Sequence, residues 1–214
     1  MKQRTLDIKK DFFERHNDLI YLDKQITKAI ELIVGLKKEN KILLCGNGGS
    51  AADCEHIAGE LLKSFELKRK LSEKMYKKLN DVYGDEGTFI ADNLQQAVKA
   101  IPLTSFCAYN TAFLNDCNEK MMFAQLVNAL GIKDDILISI STSGNSKNVV
   151  YASMLAKTMG IKVIALTGET GGKLKDIADI TINVPSKRVY RIQEYHLPIY
   201  HLICLCVESE LFEE

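Results

Sequence analysis

The stretch Lys41-Ile42-Leu43-Leu44-Cys45-Gly46-Asn47-Gly48-Gly49-Ser50 constrains the fold more than any other part of the chain. An apolar run entering Gly-x-Gly-Gly reads as a buried strand that stops abruptly, because glycine permits backbone conformations and a closeness of approach that a Cβ forbids. Ser50 then opens a helix. An anion at such a turn meets backbone N–H groups and a hydroxyl at a helix N-terminus, so phosphate is the natural guest.

Four further short apolar runs read as strands: Pro102 to Tyr109, Asp135 to Ser141, Lys162 to Gly168 and Ile180 to Pro185. Helical segments lie between most of them, and the alternation predicts an α/β fold with a doubly wound, five-stranded parallel sheet of flavodoxin-like type. In such sheets ligands gather outside the carboxyl ends of the strands. That places the turns at Gly46 to Ser50, Ser141 to Ser146 and Thr167 to Gly172 along one edge. Residues 5–38 carry Leu19, Leu22, Ile26, Ile30, Ile33 and Leu36 at helical intervals without proline, which predicts one long helix or two in tandem. Residues 66–100 break at Gly84-Asp85-Glu86-Gly87 and read as a helical insertion of two amphipathic helices around a turn. The run from Tyr190 to Glu210 is helical in pattern, but Pro198 is expected to kink the helix or mark its true start. At 214 residues, a single domain with one core is expected over 1–214, with N-terminal helices over 1–38.

Composition narrows the partners. Lys and Arg number 28 against 28 Asp and Glu, so no global positive field argues for nucleic acid or an anionic membrane, and any anion site must be local. The six cysteines, Cys45, Cys54, Cys107, Cys117, Cys204 and Cys206, mostly lie in apolar runs without the paired spacing of a structural zinc site. They read as reduced, buried thiols of a cytoplasmic protein. No signal peptide or membrane span is expected.

A second hydroxyl cluster, Ser141-Thr142-Ser143-Gly144-Asn145-Ser146, again follows an apolar strand and precedes a helix beginning near Ser146. Ser, Gly and Asn are also ordinary turn and cap residues, and either cluster alone would be structural more often than functional. Two at equivalent strand ends favour ligand binding. No Walker lysine follows the glycines and the GxGxxG spacing is absent, which points away from nucleoside triphosphates and dinucleotides and toward a small phosphorylated molecule. His56 and Glu60 lie four apart, on one helix face beyond the anion site, and suit proton transfer or a divalent metal; alone they would read as a surface pair. Gln193, Glu194, His196 and His201 bring more groups of this kind into an otherwise aliphatic C-terminal helix.

The chain resembles the sedoheptulose 7-phosphate isomerases, or phosphoheptose isomerases, of the SIS (sugar isomerase) fold. The resemblance rests on CGNGGSAADCEHIAGEL (Cys45 to Leu61), ISTSGNSKNV (Ile140 to Val149), LTGETGGKL (Leu166 to Leu174) and RIQEYHLPIYHLI (Arg191 to Ile203), in order and spacing over most of the chain. It implies that Ser50, Ser141, Thr142, Ser143 and Ser146 hold the substrate's phosphate. Asn47, Gly48, Gln193 and Asp116 are further substrate-binding candidates, Asp116 through the Leu114-Asn115-Asp116 segment. By the same resemblance, zinc is held by His56, Glu60, Gln193 and His201, with Glu60 and His201 as the acid/base pair. The implied reaction interconverts sedoheptulose 7-phosphate and an aldoheptose 7-phosphate through a cis-enediol, for heptose biosynthesis, in a homotetramer whose sites lie at subunit interfaces. The chain departs from the family pattern in two places. Lys63-Ser64-Phe65 replaces a common Gly-Arg-Phe, so the basic contact falls to Lys63, Lys68 or Arg69, and Tyr190 stands where many members have Asp. These departures allow a different phosphosugar. A non-catalytic SIS protein of the kind that binds a replication initiator is the alternative from another class, and the retained His56, Glu60, Gln193 and His201 argue against it. A phosphosugar-sensing regulator would need a DNA-binding segment, and no basic helix is present.

Overall fold

Strand β1 (Ile42–Gly46) is buried at every residue because the sheet it centres is covered on both faces. In the computed structural model, which describes residues 1–212, β1 pairs in parallel with β2 (Ala100–Pro102) on one side and β3 (Ile136–Ser141) on the other. Strands β4 (Lys162–Thr167) and β5 (Ile180–Asn183) continue the sheet, giving the order β2-β1-β3-β4-β5. This is the five-stranded, all-parallel, doubly wound sheet that the alternation of strands and helices predicts. The period-two alternation of side chains divides the core. Ile42, Leu44, Ile136, Ile138, Ile140, Ile164 and Leu166 face the layer that contains α1 (Gln3–Arg15), α2 (Asp23–Val34), α3 (Gly49–Leu62) and α10 (Val189–Leu211). Leu43, Cys45, Leu137, Val163 and Ala165 face α7 (Met122–Leu130), α8 (Lys147–Thr158) and α9 (Leu174–Ile177).

Several expectations need correction. The segment from Pro102 to Tyr109 is not a strand. The strand β2 ends at Pro102, a short 3₁₀ turn spans Leu103–Ser105, and α6 (Cys107–Asp116) follows. Strand β2 is an edge strand, and tertiary packing favours the helix: Tyr109 and Phe113, one turn apart, rest on the α7 side of the core, with the Tyr109 hydroxyl donating to the Met122 carbonyl at 3.1 Å. Of the two forms expected for the N-terminal segment, the structure has two helices in tandem rather than one long helix. Helix α1 stops at Arg15, and a 3₁₀ helix over Asn17–Leu22 leads into α2. The bend buries Leu19 and Leu22 and turns the Asp18 carboxylate to accept from the Tyr195 hydroxyl at 2.8 Å. Pro198 does not mark the start of α10, which begins at Val189 and runs through 23 residues with the proline inside it. Packing against α1, α2 and α3 outweighs the missing backbone donor.

The expected helical insertion is present as α4 (Glu73–Tyr83) and α5 (Asp85–Asn93). Only Gly84 forms the break, with φ +56; Gly87 lies inside α5, where a Cβ would strike the Leu79 carbonyl of α4. The hairpin hangs from a neck in which Lys70 bridges Gln95 and the Gln96 amide donates to the Arg69 carbonyl. No residue of α4 is buried.

One buried ion pair ties this neck to the C-terminal helix. Glu208, 1% exposed, accepts from the backbone N–H groups of Phe65, Glu66 and Leu67 at 2.8–3.1 Å and from Arg69 Nε at 2.8 Å. Arg69 also donates to the carbonyls of Leu61 and Glu60 at the end of α3. Burial alone would raise the Glu208 carboxyl, but these four donors together hold it below its ordinary value. Asp135 has the same character: burial opposes ionisation, yet Lys41, the Ile132 N–H and Asn40 depress it.

Truncating Arg69 to Ala leaves the Glu208 charge buried with one partner fewer, and is expected to destabilise the fold by about 3–5 kcal/mol. A lowered urea midpoint checks this. Because the folded pKa values of Glu208 and Asp135 are depressed, their contribution is complete above the unfolded values of about pH 4 and is lost as pH falls through the folded ones. Urea midpoints should therefore decline below that point, and less steeply in Glu208→Gln.

Candidate active site

The order 2-1-3-4-5 reverses direction between β1 and β3, so the turns that follow these two strands flank the crevice where such sheets bind ligands. After β1, Gly46 lies so close to Ser50 that a Cβ would meet the Ser50 backbone, and Gly48 adopts φ +56, ψ −122, a conformation open to glycine alone. The chain thereby enters α3 at once, with Ser50 buried in its first turn. After β3, the buried Ser141 hydroxyl lies 3.0 Å from that of Ser146, the residue that precedes α8. The Ser143 hydroxyl accepts from the Asn145 N–H at 3.1 Å. Gly144, at φ +64, leaves no room for a Cβ against the Gly171 carbonyl, and so the turn after β4 packs on the turn after β3. Asn47 and Asn148 exchange two amide hydrogen bonds, at 3.0 and 2.9 Å, which tie the turn after β1 to the start of α8 across the crevice. Thr142 is half-buried and Ser143 exposed, so the cradle opens to solvent.

A second cluster lies farther along α3. His56 Nε2 is 3.3 Å from Glu60 Oε1, one helical turn on, and Lys63 Nζ is 3.4 Å from Glu60 Oε2. Helix α10 brings His201 edge-on to His56, with ring centroids 4.9 Å apart. His201 Nε2 is buried and has no hydrogen-bond partner. Burial, with the nearby His56, lowers the His201 pKa against the opposing pull of Glu60, so its ring is neutral at neutral pH and available as a base or ligand. The Tyr200 hydroxyl meets His56 Nδ1 at 3.0 Å and Asp53 Oδ1 at 3.3 Å.

The structure thus brings His56, Glu60 and His201 together, and gathers Ser50, Ser141, Thr142, Ser143, Ser146, Asn47 and Gly48 at the strand ends. Gln193 joins the second group. Its amide packs on Gly49, where a Cβ would collide with it, and it lies about 12 Å from His201 along the same helix. Among the described residues, no three His, Cys, Asp or Glu side chains are drawn closely enough to hold a metal ion as they stand. The donor chemistry nevertheless fits zinc at His56, Glu60 and His201, because an imidazole nitrogen left buried and unpartnered is an open ligand position. Gln193 does not complete that set within one chain.

Asp116 sits exposed at the end of α6, where its carboxylate accepts from the Asn115 amide at 2.7 Å. Arg69 serves the fold through Glu208 rather than the site, which leaves Lys63 as the basic group beside Glu60. Tyr190 is exposed at the start of α10 and accepts from Arg188 at 3.3 Å. His196 is structural: burial lowers its pKa to about 4, and its Nε2 faces the Thr167 carbonyl at 3.4 Å. Sequence reasoning missed Asp53, Asn148 and Tyr200. Asp53 stands one turn before His56 and was open to notice; nothing in the sequence pairs Tyr200 or Asn148 with residues more than a hundred positions away.

The chain is similar to known proteins over most of its length. The SIS domain family matches residues 19–101 and 96–168. The phosphoheptose isomerase of Helicobacter pylori (strain Shi470) is 37% identical over 206 residues, covering 94% of each chain. A solved phosphoheptose isomerase from Francisella tularensis superposes with a TM-score of 0.75 at 32% identity, over 98% of this chain and 100% of that one. Another, from Neisseria gonorrhoeae, gives 0.70 at 34% identity, over 96% and 93%. With shared sequence, fold and extent, the chain belongs to the SIS-domain phosphoheptose isomerase family.

Proposed function

We propose that this chain catalyses the interconversion of sedoheptulose 7-phosphate and an aldoheptose 7-phosphate, a step of heptose biosynthesis. The observation that carries the reading is that α3 begins at the hydroxyl-lined cradle of the strand ends and, farther along, presents His56 and Glu60 beside His201 of α10. Ser50, Ser141, Thr142, Ser143 and Ser146 bind the phosphate and fix the sugar's register, which converts remote binding into orientation at the reacting carbons. Asn47, Gly48 and Gln193 line the passage from the phosphate toward the sugar. Glu60 removes a proton from C1 of the ketose and returns it to C2, while His201 moves a proton between the C1 and C2 oxygens, so that a cis-enediol forms and collapses without net redox change. The lowered basicity of His201 suits it to give up the proton it has taken.

His56, Glu60 and His201 are the residues that would hold zinc, which when bound supplies Lewis-acid stabilisation of the enediolate charge. Glu60 lies about 15 Å beyond Ser50 along α3, and Gln193 stays at the phosphate end. This spread supports a site assembled across copies in a homotetramer, the phosphate turns and Gln193 of one chain meeting the His56, Glu60 and His201 of another. The exposed Asp116 is a further candidate for the sugar in such an assembly. Cysteine usage supports a cytoplasmic setting: all six cysteines are free, with Cys45, Cys54, Cys204 and Cys206 buried as expected and Cys107 and Cys117 exposed instead; among the described residues, no helix is long and apolar enough to cross a membrane.

Assay of the purified protein against a panel of ketose phosphates should show turnover of sedoheptulose 7-phosphate, lost by about 10²–10⁴-fold in Glu60→Gln and His201→Ala with the circular dichroism spectrum retained. Wild-type rates in both variants would remove these roles. Chelation should abolish most of the activity and zinc should restore it. Mixing Glu60→Gln with Ser141→Ala should recover part of the activity if sites are shared between chains; no recovery at any ratio would place each site within one chain.

A further inference from the structure

His56 presents two nitrogens to two different environments, and the groups on one side decide the state of the other. Nδ1 lies 3.0 Å from the Tyr200 hydroxyl, and that hydroxyl lies 3.3 Å from Asp53 Oδ1. Tyr200 is 2% exposed and Asp53 partly buried, with its Oδ2 unpartnered, so the Tyr200–Asp53 end of this chain of bonds is shielded while the His56 ring reaches solvent. A tyrosine hydroxyl has one proton to give and an ionised carboxylate has none. The Tyr200 proton therefore goes to Asp53, and the Tyr200 oxygen is left to accept from His56. The other nitrogen, Nε2, lies 3.3 Å from Glu60 Oε1, and the His201 ring packs edge-to-face with the His56 ring at a centroid distance of 4.9 Å.

We infer that Asp53 and Tyr200 are positioning residues that lock His56 in its Nδ1–H tautomer, leaving the Nε2 lone pair aimed at the space shared with Glu60 and His201. A neutral ring in that state cannot donate to Glu60. It presents a lone pair beside a carboxylate oxygen, an arrangement that favours a cation, or a proton brought by a ligand, between them. Without the relay the preference reverses: an Nε2–H would donate to Glu60 and close the site on itself. The relay is the counterpart, built from a tyrosine and an aspartate, of the partner that orients a metal-binding histidine through its second nitrogen. Asp53 reaches His56 from one turn earlier on α3 and Tyr200 reaches it from α10, so the tautomer depends on the packing of the two helices.

The inference rests on the reading of His56 as a zinc-site residue, and its test is separable from that reading. Nitrogen-15 NMR of the full-length, histidine-labelled protein, stripped of metal and held at pH 8, reports the tautomer of each ring, with the His56 signal assigned by its loss in His56→Gln. Wild type should show His56 protonated at Nδ1. Tyr200→Phe removes the acceptor for that proton, and Asp53→Ala frees the Tyr200 proton to turn toward Nδ1; both should shift His56 to the Nε2–H form. Zinc affinity, measured by competition with a chromophoric chelator, should fall about 10–100-fold in each. Tyr200→Phe keeps the ring that fills the core, and Asp53→Ala supplies a second reading should the first variant fold poorly. An Nε2–H tautomer in wild type overturns the relay, as does an Nδ1–H tautomer retained in both variants. Failure of the wild-type protein to bind zinc would instead overturn the metal reading, and the tautomer result would still decide the relay.

Discussion

The packing of α10 along α3 is the constraint on which the site depends. Gly49 lets the Gln193 amide press against the first turn of α3, and seven residues later the same contact line places His201 and Tyr200 against His56. At the far end Glu208 gathers three backbone donors and Arg69, and Arg69 in turn caps the carbonyls of Glu60 and Leu61. The helix carrying Glu60 is therefore held at both ends by the helix carrying His201. A charge pair this deeply buried contributes modestly to net stability, because its desolvation offsets its attraction, but it sets the register of the two helices strictly.

Under the proposed function, binding and chemistry are separated along α3. Its N-terminus belongs to the strand-end crevice, where glycine geometry and clustered hydroxyls provide neutral donors for an anion without any lysine at the turn. Its later turns carry the second cluster, in which burial lowers the basicity of His201 and Glu60 stands between His56 and Lys63. The overall charge balance is consistent with this division, since attraction of a phosphosugar falls to local groups rather than to a field over the whole surface.

Much of this arrangement was legible in the residues. The apolar runs at Ile42–Gly46, Ile136–Ser141 and Lys162–Thr167 are central strands buried on both faces, and such runs announce themselves in composition. The edge strand β2 did not, because Pro102 through Tyr109 has the same apolar character whether it pairs or coils; only the seating of Tyr109 and Phe113 against α7 decides for helix. The break after Arg15 was equally hidden, since Leu19 and Leu22 keep the helical spacing while the chain bends to bury them.

The sequence by itself determined the doubly wound sheet, the two hydroxyl turns at its strand ends and the placing of His56 and Glu60 on one helix face, because each follows from local periodicity, glycine conformation or a spacing of four. Tertiary structure alone decided that Gln193 packs on the first turn of α3 while His201 joins His56, that Arg69 is buried against Glu208, and that Asp53 and Tyr200 stand behind His56. These are contacts between segments about 140 residues apart. No local rule encodes them; they arise when two helices with complementary faces are pressed together over one side of the sheet.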